Sequence, residues 1–189
     1  MIKRKTDRRI LRTERQLEDA LVKLLKEKPI QQITVRELAE EAGITRATFY
    51  THYRDPMDML KHLQDRLVEQ IINIINDTLH VDPSEFFIRL FHYFADEVRY
   101  PELLFIPTRE DSTFLRIGFM IRDQHLLTWN RVHPEAGSME YEYYSTYIVF
   151  GCISILHRWL TTGMKESPET MAALAQSIIP TGQLFSREL

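Results

Sequence analysis

Cysteine is nearly absent: Cys152 is the only one in 189 residues. No disulfide can form within the chain, and zinc sites built from several cysteines are excluded. No apolar run approaches the ~20 residues of a membrane span. The opening MIKRKTDRR is basic with no apolar stretch behind it, so it is not a secretory signal. These absences fit a reducing, cytoplasmic setting. There is no low-complexity run and no internal repeat. Catalytic signatures are missing too: no G-x-S-x-G, P-loop or dinucleotide fingerprint occurs. Seven histidines form no i, i+4 pair and no H-E-x-x-H, so no dedicated metal site is expected. Cys152 sits in the apolar run YIVFGCISIL, a buried, inert setting rather than a nucleophilic one. The expectation is a protein that is not an enzyme and needs no cofactor.

Aromatics are plentiful: ten Phe, eight Tyr and two Trp, far too many for a disordered chain. With 44% apolar and 27% charged residues, the composition is that of a globular protein able to bury a core. The net charge of −3 hides a split. Residues 1–55 carry 13 Lys and Arg against 9 Asp and Glu, a net +4. Residues 56–189 carry 11 against 18, a net −7. Seven of the basic groups fall within the first fifteen residues. A basic end on an acidic body suits contact with a polyanion. Charge alone does not separate that from a solvated tail.

Helical periodicity runs through almost the whole chain, and no strand pattern stands out. Leu17, Leu21, Leu24 and Leu25 share one face of a helix over 14–28, which Pro29 ends. Thr34 and Glu37 form a T-x-x-E capping box before VRELAEEA, and Gly43 closes that short helix. Thr45 caps RATFYTHY. Asp55-Pro56 opens a long helix over 56–79. Asp82-Pro83-Ser84-Glu85 opens another, carrying Phe86 to Val98 and stopped by Pro101. Further helices are expected from Ser112 to about Arg131, over 139–162 up to Gly163, and from Pro168 to about Ile179. The result is an all-α protein of about nine helices with short bundle-like connections.

Residues 34–54, TVRELAEEAGITRATFYTHYR, place two short helices around a tight glycine turn. That is the helix-turn-helix arrangement, whose second helix enters the major groove. Leu38, Ala39 and Ala42 face inward, and Ile44 plugs the turn. Phe49 and Tyr53, four apart, anchor the second helix from behind. Arg46, Ala47, Thr48, Tyr50 and Thr51 remain on its other surfaces. This set is short, hydroxyl-rich and free of acids, as a surface facing phosphate and base edges must be. The same pattern also suits an ordinary helical hairpin.

The string Thr34, Leu38, Ala39, Ala42, Gly43, Ile44, Thr45, Phe49, Tyr50, His52, Tyr53 resembles the signature of the TetR family of bacterial transcription regulators. With the preceding Leu-rich helix, the likeness covers about 45 residues. It implies an N-terminal three-helix DNA-binding domain over 1–60 and a helical ligand-binding and dimerisation domain over 61–189. Residues 151–169 also resemble the C-terminal domain of a regulator subgroup that includes activators of dihydroxyacetone kinase operons. By resemblance, Thr34 caps its helix and offers a hydroxyl to phosphate, and Arg36 reaches the DNA edge. Thr45 caps the recognition helix, with Arg46 and Ala47 as base readers. Thr48, Tyr50 and His52 position the backbone. One departure stands out. The family usually has Lys or Arg where this chain has Pro56, so a phosphate contact is lost there, and Arg54 is the nearby substitute. The basic arm, residues 3–12, either tracks DNA or stays a mobile tail.

The resemblance also implies a pseudo-palindromic duplex operator, a homodimer built through 139–162 and 168–179, and a small-molecule effector. Gly151, inside a helix, marks close approach of another helix, from a second copy or from the same chain. Tyr93, His125, Trp129 and Tyr147 are candidates for an aromatic effector pocket; core packing explains any one of them equally well. The expected function is repression relieved by an effector. The rivals are a DNA-bound scaffold or activator that recruits a protein, and an enzyme that happens to carry this bundle.

Overall fold

The computed structural model describes residues 2–78, 83–107, 113–132 and 138–178. Among them are eight α-helices and no strand: α1 (Ile2–Leu25), α2 (Val35–Ala42), α3 (Arg46–Tyr50), α4 (Pro56–Thr78), α5 (Pro83–His92), α6 (Thr113–Val132), α7 (Ser138–Thr161) and α8 (Pro168–Ile178). Short 3-10 turns lie at Ile30–Gln32 and Pro101–Phe105, and a π turn at Tyr93–Glu97. The chain divides into two units, Met1–Asp65 and Arg66–Leu189, the division falling within α4. None of the described helices is long and apolar enough to cross a membrane.

The first unit is built on α1, α2, α3 and the start of α4. Leu17, Leu21 and Leu24 of α1 are buried, as are Leu38, Ala39 and Ala42 of α2, Phe49 of α3, and Met59, Leu60 and Leu63 of α4. Each large apolar side chain taken from water stabilises the unit by about 1.5–3 kcal/mol. Periodicity starts α1 at Glu14, yet the backbone is helical from Ile2. Nothing between Ile2 and Leu25 breaks a helix, since the first proline is Pro29 and the first glycine Gly43. Residues 3–12 therefore belong to α1 and are not a separate arm.

The second unit gathers its core from the later part of α4 and from α5 to α8. Ile71, Ile75, Phe87, Phe91, Phe94, Ile117, Trp159 and Met171 form one buried cluster. The Trp159 ring meets the Phe91 edge at 5.1 Å between centroids, and its Nε1 donates to the Glu166 carbonyl at 3.0 Å. That bond folds the turn after α7 back onto the helix. Gly163 closes α7 with φ +88°, and Met164 N donates to Trp159 O at 2.9 Å. α5 stops short of the expected Val98. It widens into the π turn, where Val98 N donates to Tyr93 O at 3.1 Å. A helix cannot run on into Pro101, and the i→i−5 bond dissipates its last turn.

Candidate nucleic-acid interface

α2 begins as its sequence dictates. Thr34 Oγ1 accepts from Glu37 N at 3.3 Å, and Thr34 N donates to Glu37 Oε2 at 3.0 Å. Both halves of the capping box are present. The Thr34 hydroxyl also donates to Glu37 Oε2 at 2.7 Å. Its proton is committed inside the chain, so Thr34 serves as a cap first and as a phosphate donor only by breaking that bond. Lys28 Nζ donates to Glu37 Oε1. That bond, with the two from Thr34, pushes the Glu37 carboxyl down to about 2.

Gly43 makes the turn. Its φ of +66° is left-handed, a conformation that costs a residue with a Cβ about 1–2 kcal/mol. Ile44 N then donates to Ala39 O at 2.9 Å, closing the end of α2. Thr45 caps α3 by accepting from Thr48 N at 3.1 Å. The Thr45 and Thr48 hydroxyls lie 2.9 Å apart. One proton bridges them, which leaves the other free to donate outward. Thr51 differs, for its hydroxyl donates to Thr48 O at 2.6 Å.

α3 is pinned from behind. Phe49 is fully buried and Tyr53 nearly so, their ring centroids 5.9 Å apart. Tyr50 packs edge-on against Phe49 at 5.8 Å yet is 59% exposed. Thr45, Arg46, Ala47 and Tyr50 are all exposed, with Thr48 partly so. Arg46 makes no ion pair among the described residues. The helix thus presents a cation, a phenol and a free hydroxyl proton on a surface without an acid. Such a set can donate to phosphate oxygens and to purine edges.

The remaining expected residues are placed less uniformly. Arg36 is exposed, but its Nε donates to Glu40 Oε1 at 2.8 Å. His52 is turned inward. Its side chain is 15% exposed, with Nδ1 4.0 Å from Glu14 Oε1 on α1, so it braces α3 and α1 and does not stand beside the outward set. Arg54 is exposed, its guanidinium held by Asp58 on the first turn of α4. Asp58 escaped the sequence reading. Its i, i+4 spacing from Arg54 was the available signal.

Of the four aromatic-pocket candidates, the structure does not bring Tyr93 and Tyr147 together. Tyr93 is buried in the second core, where burial pushes its phenol up to about 12. Tyr147 is 70% exposed on α7 and does not join it. The reason is periodicity: Met139, Tyr143 and Tyr147 recur at four-residue steps and share the outer face of the helix. His125 and Trp129 lie outside the described side chains. Buried polar side chains went unforeseen: Thr113 on α6, and the pair Tyr141 and Ser145 on α7. Burial raises the Tyr141 phenol to about 12, against the opposing hydrogen bond from Ser145. Burial also lifts the Cys152 thiol to about 11, so it stays protonated at neutral pH.

A capped helix-turn-helix with an exposed, acid-free second helix, in a chain whose other unit is a helical bundle, defines a helix-turn-helix transcription regulator. Residues 17–63 match the family of bacterial regulatory proteins, tetR family, and residues 81–181 match a transcriptional regulator C-terminal region. The chain belongs to the TetR family of transcriptional regulators. It is 26% identical over 178 residues to YxbF of Bacillus subtilis (strain 168), an uncharacterized HTH-type transcriptional regulator. That match covers 91% of this chain and 46% of YxbF, so the chain spans about half the length of that relative. A TetR transcriptional regulator from Streptococcus agalactiae 2603V shares the fold at a TM-score of 0.60 and 21% identity, over 92% of this chain and 97% of that one. FadR from Bacillus subtilis, solved in complex with stearoyl-CoA, does so at 0.57 and 17%, over 88% and 97%.

Proposed function

We propose that this chain is a homodimeric, sequence-specific DNA-binding repressor of the cytoplasm, released from its operator by a small-molecule effector. The observation that carries the reading is α3, anchored through Phe49 and Tyr53 while Arg46, Ala47 and Tyr50 stay exposed. In this reading Arg46 and Ala47 read base edges. Thr45, Thr48, Tyr50 and Arg54 bind phosphate, and Thr34, Arg36 and His52 support the site from its margins. Two such helices, related by a two-fold axis, enter successive major grooves of a pseudo-palindrome.

Self-association is supported by the outer faces of α7 and α8. Met139, Tyr143, Tyr147, Leu174 and Ile178 are large, apolar and exposed. Gly151 on α7 has nothing among the described residues within 4 Å of where a Cβ would stand, which leaves room there for a second copy of the helix. The effector works by linkage: it binds one arrangement of the two DNA heads better than the other and shifts the population between them. Long-chain acyl-CoA is the first ligand class to test, because FadR from Bacillus subtilis holds stearoyl-CoA on a similar fold. Activation through a recruited protein is the second reading. The net −7 of residues 56–189 and the likeness of 151–169 to activators of dihydroxyacetone kinase operons favour it.

The test is selection of bound sequences from random duplex DNA at physiological salt. A selected palindrome, lost when Tyr50→Ala is used with the dimer intact, supports the reading. A folded dimer that enriches no sequence, with or without acyl-CoA, overturns sequence-specific regulation.

A further inference from the structure

Arg54 and Asp58 are built as an exposed head on a buried anchor. The Arg54 side chain is 85% exposed and that of Asp58 5%. Arg54 Nε donates to Asp58 Oδ1 at 3.0 Å, and Nη2 donates to the same oxygen. The other carboxylate oxygen, Oδ2, accepts from Arg54 N at 2.9 Å. The anchor is itself held. Asp58 N donates to Asp55 Oδ1 at 2.8 Å, and His62 Nδ1 donates to the Asp58 carbonyl at 2.8 Å. The His62 ring meets the edge of Tyr53 at 5.7 Å, and Tyr53 packs on Phe49 behind the recognition helix. The ionisable side chains around Asp58 are thus Arg54, Asp55 and His62, whose Nδ1 lies 3.8 Å from Asp58 Oδ1.

A free surface arginine samples many rotamers and gives up that side-chain entropy when a ligand fixes it. This one is already fixed, because its partner is buried and cannot follow it into solvent. Two of the five guanidinium N–H groups are used, so three remain for an oxygen-rich partner. A buried anion gains nothing by facing DNA directly, since it repels phosphate. We infer that Asp58 is a positioning residue for DNA binding, which holds the Arg54 guanidinium ready to grip a backbone phosphate at the end of the recognition helix. The inference rests on the DNA-binding reading above and adds to it the residue through which Arg54 acts.

Simple charge counting and positioning predict opposite signs for Asp58→Asn. Charge counting has affinity rise when an acid is removed. Positioning has it fall about tenfold, the size of one charge-assisted hydrogen bond lost, without any flattening of the salt dependence. A mixed-sequence duplex is a sufficient probe, because phosphate contacts do not depend on sequence. Arg54→Gln is expected to lower the slope of log affinity against log salt by about one phosphate's share per head. In that background Asp58→Asn is expected to cause no further loss, whereas a merely structural role for Asp58 lowers affinity whether or not Arg54 is present. Arg54→Lys alters only the exposed side chain and keeps a cation beside the buried Asp58, so that carboxylate is not left without a counter-charge. It keeps the charge and removes the fork, and is expected to weaken binding at unchanged slope. Wild-type affinity in Arg54→Lys, or a rise in Asp58→Asn, overturns the inference while DNA binding stands. Failure of the wild-type protein to retard the duplex at about 50 mM salt, where phosphate binding is strong, overturns the DNA-binding reading itself.

Discussion

Gly118 on α6 lies under the ring of Phe150 on α7. A Cβ at position 118 would stand 2.5 Å from Phe150 Cε1, 2.7 Å from Cζ and 3.2 Å from Ile153 Cδ1. The Phe150 ring is held from the side by Phe119, edge to face at 5.3 Å. Gly118→Ala gains about 1 kcal/mol of helix propensity. Displacing the ring costs about 1–3 kcal/mol, so the change is expected to destabilise the protein by up to ~2 kcal/mol. Urea denaturation measures it. A raised midpoint with unchanged slope would refute the packing of Phe150 on Gly118.

Glu37 ties α2 to the chain before it, and its bonds depend on charge. Its carboxyl is pushed from 4.5 down to about 2, first by Lys28 and then by Thr34. A depressed acid contributes stability above its unfolded value and loses it as the pH falls through its folded one. The first unit is therefore expected to weaken as pH drops from 4.5 toward about 2. Glu37→Gln should flatten that part of the pH profile of thermal unfolding. An unchanged profile would mean that other carboxylates carry the acid transition.

The features legible from sequence were those whose cause lies within a few residues. The capping box at Thr34 and Glu37, the Gly43 turn, the Thr45 cap and the Gly163 stop are local backbone chemistry, and each appears in the structure. The burial of Phe49 and Tyr53 followed from four-residue spacing. What escaped depends on neighbours remote in sequence or on which face a side chain takes. The close approach at Gly118 has no local signal, because its partner Phe150 lies 32 positions away. Tyr147 counted as a pocket residue because it is aromatic, although its helix face is exposed. Asp58 was hidden for the opposite reason: its spacing from Arg54 is visible, but its burial is not.

His92 joins α5 to the first turn of α8. Its Nδ1 lies 2.9 Å from Asp96 Oδ2, and its Nε2 lies 3.0 Å from Glu169 Oε1. Both partners are acceptors, so both contacts are hydrogen bonds only while the ring carries a proton on each nitrogen. The bond to Asp96, then the attraction of Glu169, raises its pKa above 6.5. A raised base contributes fully below its unfolded value and loses that contribution as pH rises through the folded one. His92→Gln is expected to lower the melting temperature at pH 6 and to leave it nearly unchanged at pH 9, a contrast that differential scanning calorimetry resolves. Equal losses at both pH values would show that packing, not charge, is what the histidine supplies.

Tyr147 offers the sharpest test of self-association. It stands on the outer face of α7 with Met139 and Tyr143, all well exposed. Burial of one such side chain contributes about 1.5–3 kcal/mol. In a two-fold dimer the same residue is buried on both copies, so each substitution counts twice. Tyr147→Glu then removes roughly 3–6 kcal/mol and adds two carboxylates close to the axis. Dissociation should tighten or loosen with this face alone: Tyr147→Glu and Tyr143→Glu are expected to yield folded monomers at micromolar concentration, while Glu142→Gln, off that stripe, stays dimeric. Sedimentation equilibrium distinguishes the two masses directly. A monomer made this way also separates the two halves of the DNA reading, because each head keeps its phosphate contacts but the pair loses the fixed spacing that a palindrome requires. It should therefore still bind mixed-sequence duplex weakly and lose preference for the selected operator. A Tyr147→Glu protein that remains a dimer would move the interface off α7 altogether.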